Sequence, residues 1–227
     1  MVKLPVFYTM AFVPDYAQMN QLLYEGNQAR VKEMTEAALQ EGCDVEEVLQ
    51  DGLIAGMSVV GEDFKHNRIY VPQVLIAARA MKAGMAVLKP LLSGSPSARA
   101  LGTVVMGTVK GDLHDIGKNL VCMMGEGAGF TMVDLGVDQP VESFLRAAKE
   151  HGAGIVGMSA LLTTTMPYMK VVIDAFRAGG LGHVKMCVGG APVSEMFADE
   201  IGADGYATDA ASAVDLFKSL YPKAQLT

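Results

Sequence analysis

Residues 103–117, TVVMGTVKGDLHDIG, run from a short β-rich stretch straight into a polar loop punctuated by glycine. Thr103–Thr108 suits a buried strand, and Gly111 and Gly117 allow tight turning and close backbone approach. The same alternation continues downstream. β-rich runs at 131–135, 154–158, 185–188 and 205–207 are separated by helical stretches near 117–127, 140–151, 167–178, 192–201 and 209–220. This succession predicts an α/β domain over residues 101–227 built on a doubly wound, five-stranded parallel sheet. Ligands of such sheets gather at the carboxyl ends of the strands near the topological switch point, so chemistry is expected in the loop after the first strand.

Upstream the period becomes that of helices. Met19 and Leu23 suit one short helix and Val31, Met34 and Ala38 a second, with Gly26-Asn27 as the break. Asp44 followed by Glu47 has the form of a capping box, and Val45, Val48, Leu49, Leu53, Val60 and Phe64 follow at helical spacing. After the polar turn at 65–68 a further helix opens near Pro72, with the apolar stripe Leu75, Ala78, Met81, Met85, Leu88 and Leu92. These segments predict a four-helix bundle over residues 1–92. Residues 93–100, SGSPSARA, are small and turn-prone and read as a linker and hinge.

The composition, 51% hydrophobic and 19% charged, is that of a folded globular chain, and the net charge of -7 argues against a nucleic-acid partner. No stretch of about 18 uninterrupted apolar residues predicts a membrane helix. The N-terminal run, broken by Pro5 and Pro14, does not read as a signal peptide, and the first fifteen residues match no pattern. Cys43, Cys122 and Cys187 are far apart and odd in number, which fits reduced thiols in a cytoplasmic protein. The 16 methionines read as flexible core filling.

Asp112 and His114 stand two apart in the loop. A neutral imidazole ligates a metal through one nitrogen while a carboxylate orients its other N–H, so Asp112 is a natural partner for His114. One histidine does not build a metal cage. It can supply one axial ligand to a metal already held by a macrocycle, and a structural Asp–His hydrogen bond is the plain alternative. His66, His151 and His183 lack a partner motif and read as surface or structural residues. Lys110 and Lys118 flank the loop, within reach of phosphate or amide groups on a ligand, with solvation the simpler expectation.

GDLHDIG resembles the D-x-H-x-x-G motif of base-off, His-on cobalamin-binding domains, with Asp112, His114 and Gly117 at its specified positions. Ser159-Ala160-Leu161-Leu162-Thr163 resembles the S-x-L segment of that family, and Gly189-Gly190 its GG element. Residues 56–85, GMSVVGEDFKHNRIYVPQVLIAARAMKAGM, are similar to the helical cap of methionine synthase and of stand-alone corrinoid proteins. The resemblance covers roughly residues 16–221. It implies a cap domain followed by a flavodoxin- or Rossmann-like domain that holds cobalamin or a related corrinoid.

Several roles follow from the resemblance alone. His114 is implied as the lower axial ligand of cobalt, with Asp112 and Thr165 completing a hydrogen-bonded relay behind it. Gly111, Leu113, Asp115, Ile116 and Gly117 are implied to line the cofactor with them. Ser159, Leu161, Thr163, Gly189 and Gly190, with Ala210 in the last loop-to-helix turn, are implied to receive the displaced nucleotide tail. Phe64 and Val71 of the cap are implied to cover the upper face.

Such a chain is expected to be a methyl carrier, a corrinoid subunit that is not active by itself. By resemblance, a substrate-specific methyltransferase loads it from a methylamine, methanol, a methoxyaromatic or a betaine. A second methyltransferase then unloads it to tetrahydrofolate or coenzyme M, and a reductive activator restores it. A cobalamin-dependent sensor or regulator is an alternative, but that reading wants a DNA-binding domain, which the fifteen residues before the first helix do not supply. A detached mutase cobalamin subunit is another, against which the methionine-synthase-like cap argues. Neither nucleic acid nor membrane is expected among the partners.

Overall fold

The computed structural model describes residues 14–92 and 101–221, so the linker read at 93–100 and most of the first fifteen residues lie outside it. Side-chain caps set the first helices. Asp15 accepts from the Gln18 amide to open α1 (Tyr16–Tyr24), and Asn27 accepts from the Arg30 amide to open α2 (Gln28–Gln40). Asp44 caps α3 (Val45–Glu47) as its sequence context predicts. The next seven residues depart from a uniform helix, because Val48–Ile54 form a π-helix before α4 (Ala55–Lys65). A π turn shifts carbonyls away from their usual donors. Asn20 of α1 meets two of them, donating from Nδ2 to the Asp51 and Gly52 oxygens at 2.9 Å each.

α5 (Val71–Leu92) closes the bundle. Its buried stripe is Val74, Ala77, Met81, Gly84 and Leu88, one residue off the expected register at its start. Ala78, Met85 and Leu92 are half-buried because α5 packs on α2 and α4 and also on α6 (Ile116–Gly127). By length and composition alone α5 is apolar enough to cross a membrane. Here it lies packed between α2 and α6.

The strands β1 (Thr103–Thr108), β2 (Thr131–Asp134), β3 (Ile155–Ser159), β4 (Lys185–Gly189) and β5 (Gly205–Ala207) form a parallel sheet in the order β2-β1-β3-β4-β5. One face carries α6 and α10 (Ala210–Leu220), and the other carries α7 (Val141–His151), α8 (Pro167–Ala178) and α9 (Glu195–Ile201). Strand order reverses between β1 and β3, so the loops after these two strands adjoin at the switch point. On the α6 and α10 side a single apolar cluster continues from the bundle through Leu120, Met124 and Phe217 to Val104 and Ile155. At the opposite end of the sheet, the Tyr221 hydroxyl accepts from the Thr103 and Gly154 amides and donates to the Thr103 oxygen.

Candidate functional site

β1 delivers the chain into a turn at Gly111, whose φ of +85° is a conformation that favours glycine and whose amide donates to Asp138 Oδ1 at 2.7 Å. The turn sends Asp112 inward, where it is fully buried, and leaves Leu113 71% exposed. Every side of the Asp112 carboxylate is engaged. Oδ1 accepts from His114 Nδ1 at 2.8 Å and from the His114 amide at 3.1 Å. Oδ2 accepts from the Leu161 amide at 2.8 Å, the Leu162 amide at 3.1 Å and Thr165 Oγ1 at 2.7 Å. The Thr165 hydroxyl also lies 2.9 Å from the Leu162 oxygen, and its one hydrogen goes to the nearer, charged acceptor.

Burial pushes the Asp112 carboxyl up, but the Leu161 amide, the Thr165 hydroxyl and His114 outweigh it and hold the group well below the usual carboxylate range. An anion at this place favours a proton on the His114 Nδ1 that faces it. Nδ1–H donates to Asp112, and Nε2 makes no hydrogen bond among the described residues. The His114 side chain is half exposed, and its carbonyl is held by Thr108 Oγ1 at 2.8 Å. No three His, Cys, Asp or Glu side chains among the described residues stand together to hold a metal ion. The Cys122 and Cys187 thiols are pushed up to about 12 by burial and stay protonated at neutral pH. His114 is therefore a single nitrogen donor at the carboxyl edge of the sheet.

Around it lie Leu113, Ile116, Leu161 and Leu162, all exposed apolar side chains. Gly117 is exposed, and a Cβ there would meet nothing within 4 Å, so this side of the loop is open to a flat ligand. Asp115 is exposed beside them. Ser159 and Gly189 pair in register at the ends of β3 and β4. Gly190 has φ +126°, and a Cβ there would stand 1.9 Å from the Ala160 oxygen. Thr163 is exposed on the loop that binds Asp112.

Asp112, His114 and Thr165 are thus brought together, with the 159–163 segment beside them. Ala210 opens α10 with its side chain in the apolar core. Phe64 and Val71 pack half-buried against the bundle core and do not join the Asp112 network. Lys118, expected to be solvated, is buried, with its ammonium 2.6 Å from each Asp134 oxygen. Lys110 is exposed. Sequence reasoning missed Thr108, whose hydroxyl at a strand end was a readable signal, and Asp138, which only the pairing of β1 with β2 brings to Gly111.

A family model described as a B12 binding domain matches residues 102–215, and a second of the same description matches residues 16–89. The chain is 41% identical over 209 residues to a corrinoid protein of Desulfitobacterium hafniense, covering 91% of this chain and 97% of that protein. It is 46% identical over 175 residues to the dimethylamine corrinoid protein of Methanosarcina barkeri, covering 77% of this chain and 82% of that one. Its fold overlays the methanol:cobalamin methyltransferase complex MtaBC from Methanosarcina barkeri with a TM-score of 0.82 at 30% identity, over 95% of this chain and 85% of that chain.

Proposed function

The chain belongs to the B12-binding corrinoid proteins, and from that premise we propose that it carries methyl groups on a corrinoid cobalt ligated by His114. The observation that carries this reading is the Asp112 carboxylate, which holds His114 Nδ1 at 2.8 Å and leaves Nε2 free at the sheet edge. The surroundings fit a corrinoid: apolar Leu113 and Ile116 beside the ligand, clear space over Gly117, and glycine where Gly190 passes the Ala160 carbonyl. When bound, the corrinoid supplies a cobalt centre that accepts a methyl group from one partner and gives it to another.

The chain's own residues orient that centre. His114 would hold the cobalt through Nε2, and Asp112 with Thr165 would hold the Nδ1 proton and the ring plane, a kind of support whose loss typically changes metal affinity or activity by about 10–100-fold. Ser159, Leu161, Thr163, Gly189 and Gly190 would accommodate the nucleotide tail. Phe64 and Val71 of the bundle would exclude water from the bound corrinoid. The loading partner is a methylamine- or methanol-type methyltransferase, in keeping with the relatives named above. A second methyltransferase acting on tetrahydrofolate or coenzyme M, together with a reductive activator, completes the cycle.

The test is an absorption spectrum of the protein reconstituted with hydroxocobalamin, then reduced without oxygen and treated with methyl iodide. One corrinoid per chain, shifting on reduction and again on methylation, supports the carrier, and His114→Ala should lose the histidine ligation. Folded protein that retains no corrinoid would return Asp112 and His114 to a purely structural pair.

A further inference from the structure

Lys118 is a charged side chain that is fully buried, and the ligation scheme above makes no use of it. It lies in the first turn of α6, four residues after His114. Its ammonium donates to both oxygens of Asp134, at the end of β2, and to Asn119 Oδ1. Asn119 in turn donates from Nδ2 to Asp115 Oδ2 at 2.9 Å. Asp115 is the N-cap of α6, yet its carboxylate, turned to Asn119, caps no helix amide. The helix therefore starts without the usual side-chain cap, and a charged tether to the neighbouring strand stands in its place.

Helix geometry gives this tether a consequence. Residues two apart on an α-helix differ by about 200°, so a Lys118 turned into the sheet presents Ile116 on the opposite side. Ile116 is 75% exposed there, next to His114. Burying an ammonium is costly unless it is paired, and an apolar side chain would occupy the same space more cheaply without gripping β2.

We propose that Lys118 is a positioning residue, which anchors the first turn of α6 to Asp134 and so aims His114 at the corrinoid cobalt. The proposal rests on the ligation assigned to His114 above. Lys118 acts through the helix and touches none of the reacting atoms. The pair is lopsided, with 1% of the Lys118 side chain exposed against 41% of that of Asp134. Lys118→Met therefore leaves a carboxylate that water reaches, and the variant should fold. Asp134→Asn releases the same anchor from the other end.

The experiment uses protein grown with 15N-histidine, loaded with cobalamin, reduced to the cobalt(II) state and read by electron paramagnetic resonance. Ligation by a 15N histidine splits each cobalt line in two, whereas the cofactor's own 14N base splits it in three. Wild type should show the two-line pattern, and His114→Ala should lose it. Lys118→Met and Asp134→Asn should keep corrinoid at wild-type stoichiometry, with the ratio of histidine-ligated to unligated cobalt about 10-fold lower. An unchanged ratio in the folded variants, whatever happens to the melting temperature, overturns the proposal and leaves a pair that only stabilises. Wild type without the two-line pattern instead breaks the assignment of His114 itself. Should Lys118→Met not fold by circular dichroism, Asp134→Asn decides the matter.

Discussion

The edge of the sheet around His114 and the seam between bundle and sheet are held by different chemistry. At the edge nearly every group has a directed partner: Asp112 accepts from His114, Leu161, Leu162 and Thr165, and Asp138 holds Gly111. Along the seam, methionine meets glycine, with Met57 against Gly127 and Met124 against Gly61. An ion pair, Lys65 to Asp215 at 2.7 Å, crosses it with both side chains well exposed. A cavity of about 150 Å³ opens between Met57, Gly61, Met124 and Val214. Directed bonds admit one arrangement, while flexible thioethers on small residues admit several of similar energy. The contrast assigns rigidity to His114 and adaptability to the surface on which the bundle rests.

The strongest way to break the rigid side is Gly190→Ala. The new Cβ would stand 1.9 Å from a backbone oxygen at a φ of +126°, so neither a side-chain shift nor a rotamer change relieves it. A loss of about 3 kcal/mol or more is expected in urea unfolding, from backbone strain and overpacking together. A loss below about 1 kcal/mol would mean that the β3 and β4 loops yield, and the edge is softer than its bonds suggest.

The adaptable side is sharpened by a pair of substitutions at Met57, which is 4% exposed. Met57→Ala should cost about 2 kcal/mol, the low end for a buried methionine, because the side chain borders a cavity that its neighbours can partly fill. Met57→Leu keeps the volume and should cost less than about 1 kcal/mol. Equal losses in the two variants would show that the seam demands one shape, and the contrast with the edge would fail.

The same contrast explains what the sequence made legible. The strand Thr103–Thr108, rich in β-branched residues, was readable to the residue because its burial leaves few alternatives, and the short half-buried edge strand Gly205–Ala207 was placed to the residue as well. The π-helix at Val48–Ile54 was not, since its apolar spacing equally suits an α-helix. What accompanies it is tertiary, namely Gly52 against Met19 and Asn20 on the freed carbonyls. The stripe of α5 slipped for a similar reason, with α6 competing for a second face. In the site, Asp112 and His114 were legible from their spacing in one loop. Thr165 came only through family resemblance, and the pairing of Lys118 with Asp134 needed the strand order, which no local pattern contains.

Asp209 belongs to both regions and gives the smallest expected effect. It caps α10 at the sheet edge, accepting from the Ser212 amide at 2.9 Å and from the Ser212 and Thr208 hydroxyls, while Ala211, Val214 and Asp215 further along the helix line the seam. Burial pushes its carboxyl up, but the Ser212 amide and hydroxyl, with Thr208, more than reverse this and leave it below the usual range. A group whose folded pKa is depressed contributes stability above its unfolded pKa and loses it as pH falls through the folded value. The stability gap between wild type and Asp209→Asn should therefore be fully open above about pH 5 and close as pH drops below the ordinary Asp value of about 3.9. Urea midpoints at pH 7, 5 and 3.5 read this directly. A gap that holds constant across that range would mean that the charge on Asp209 adds nothing to its hydrogen bonds, and that α10 is held by the seam alone.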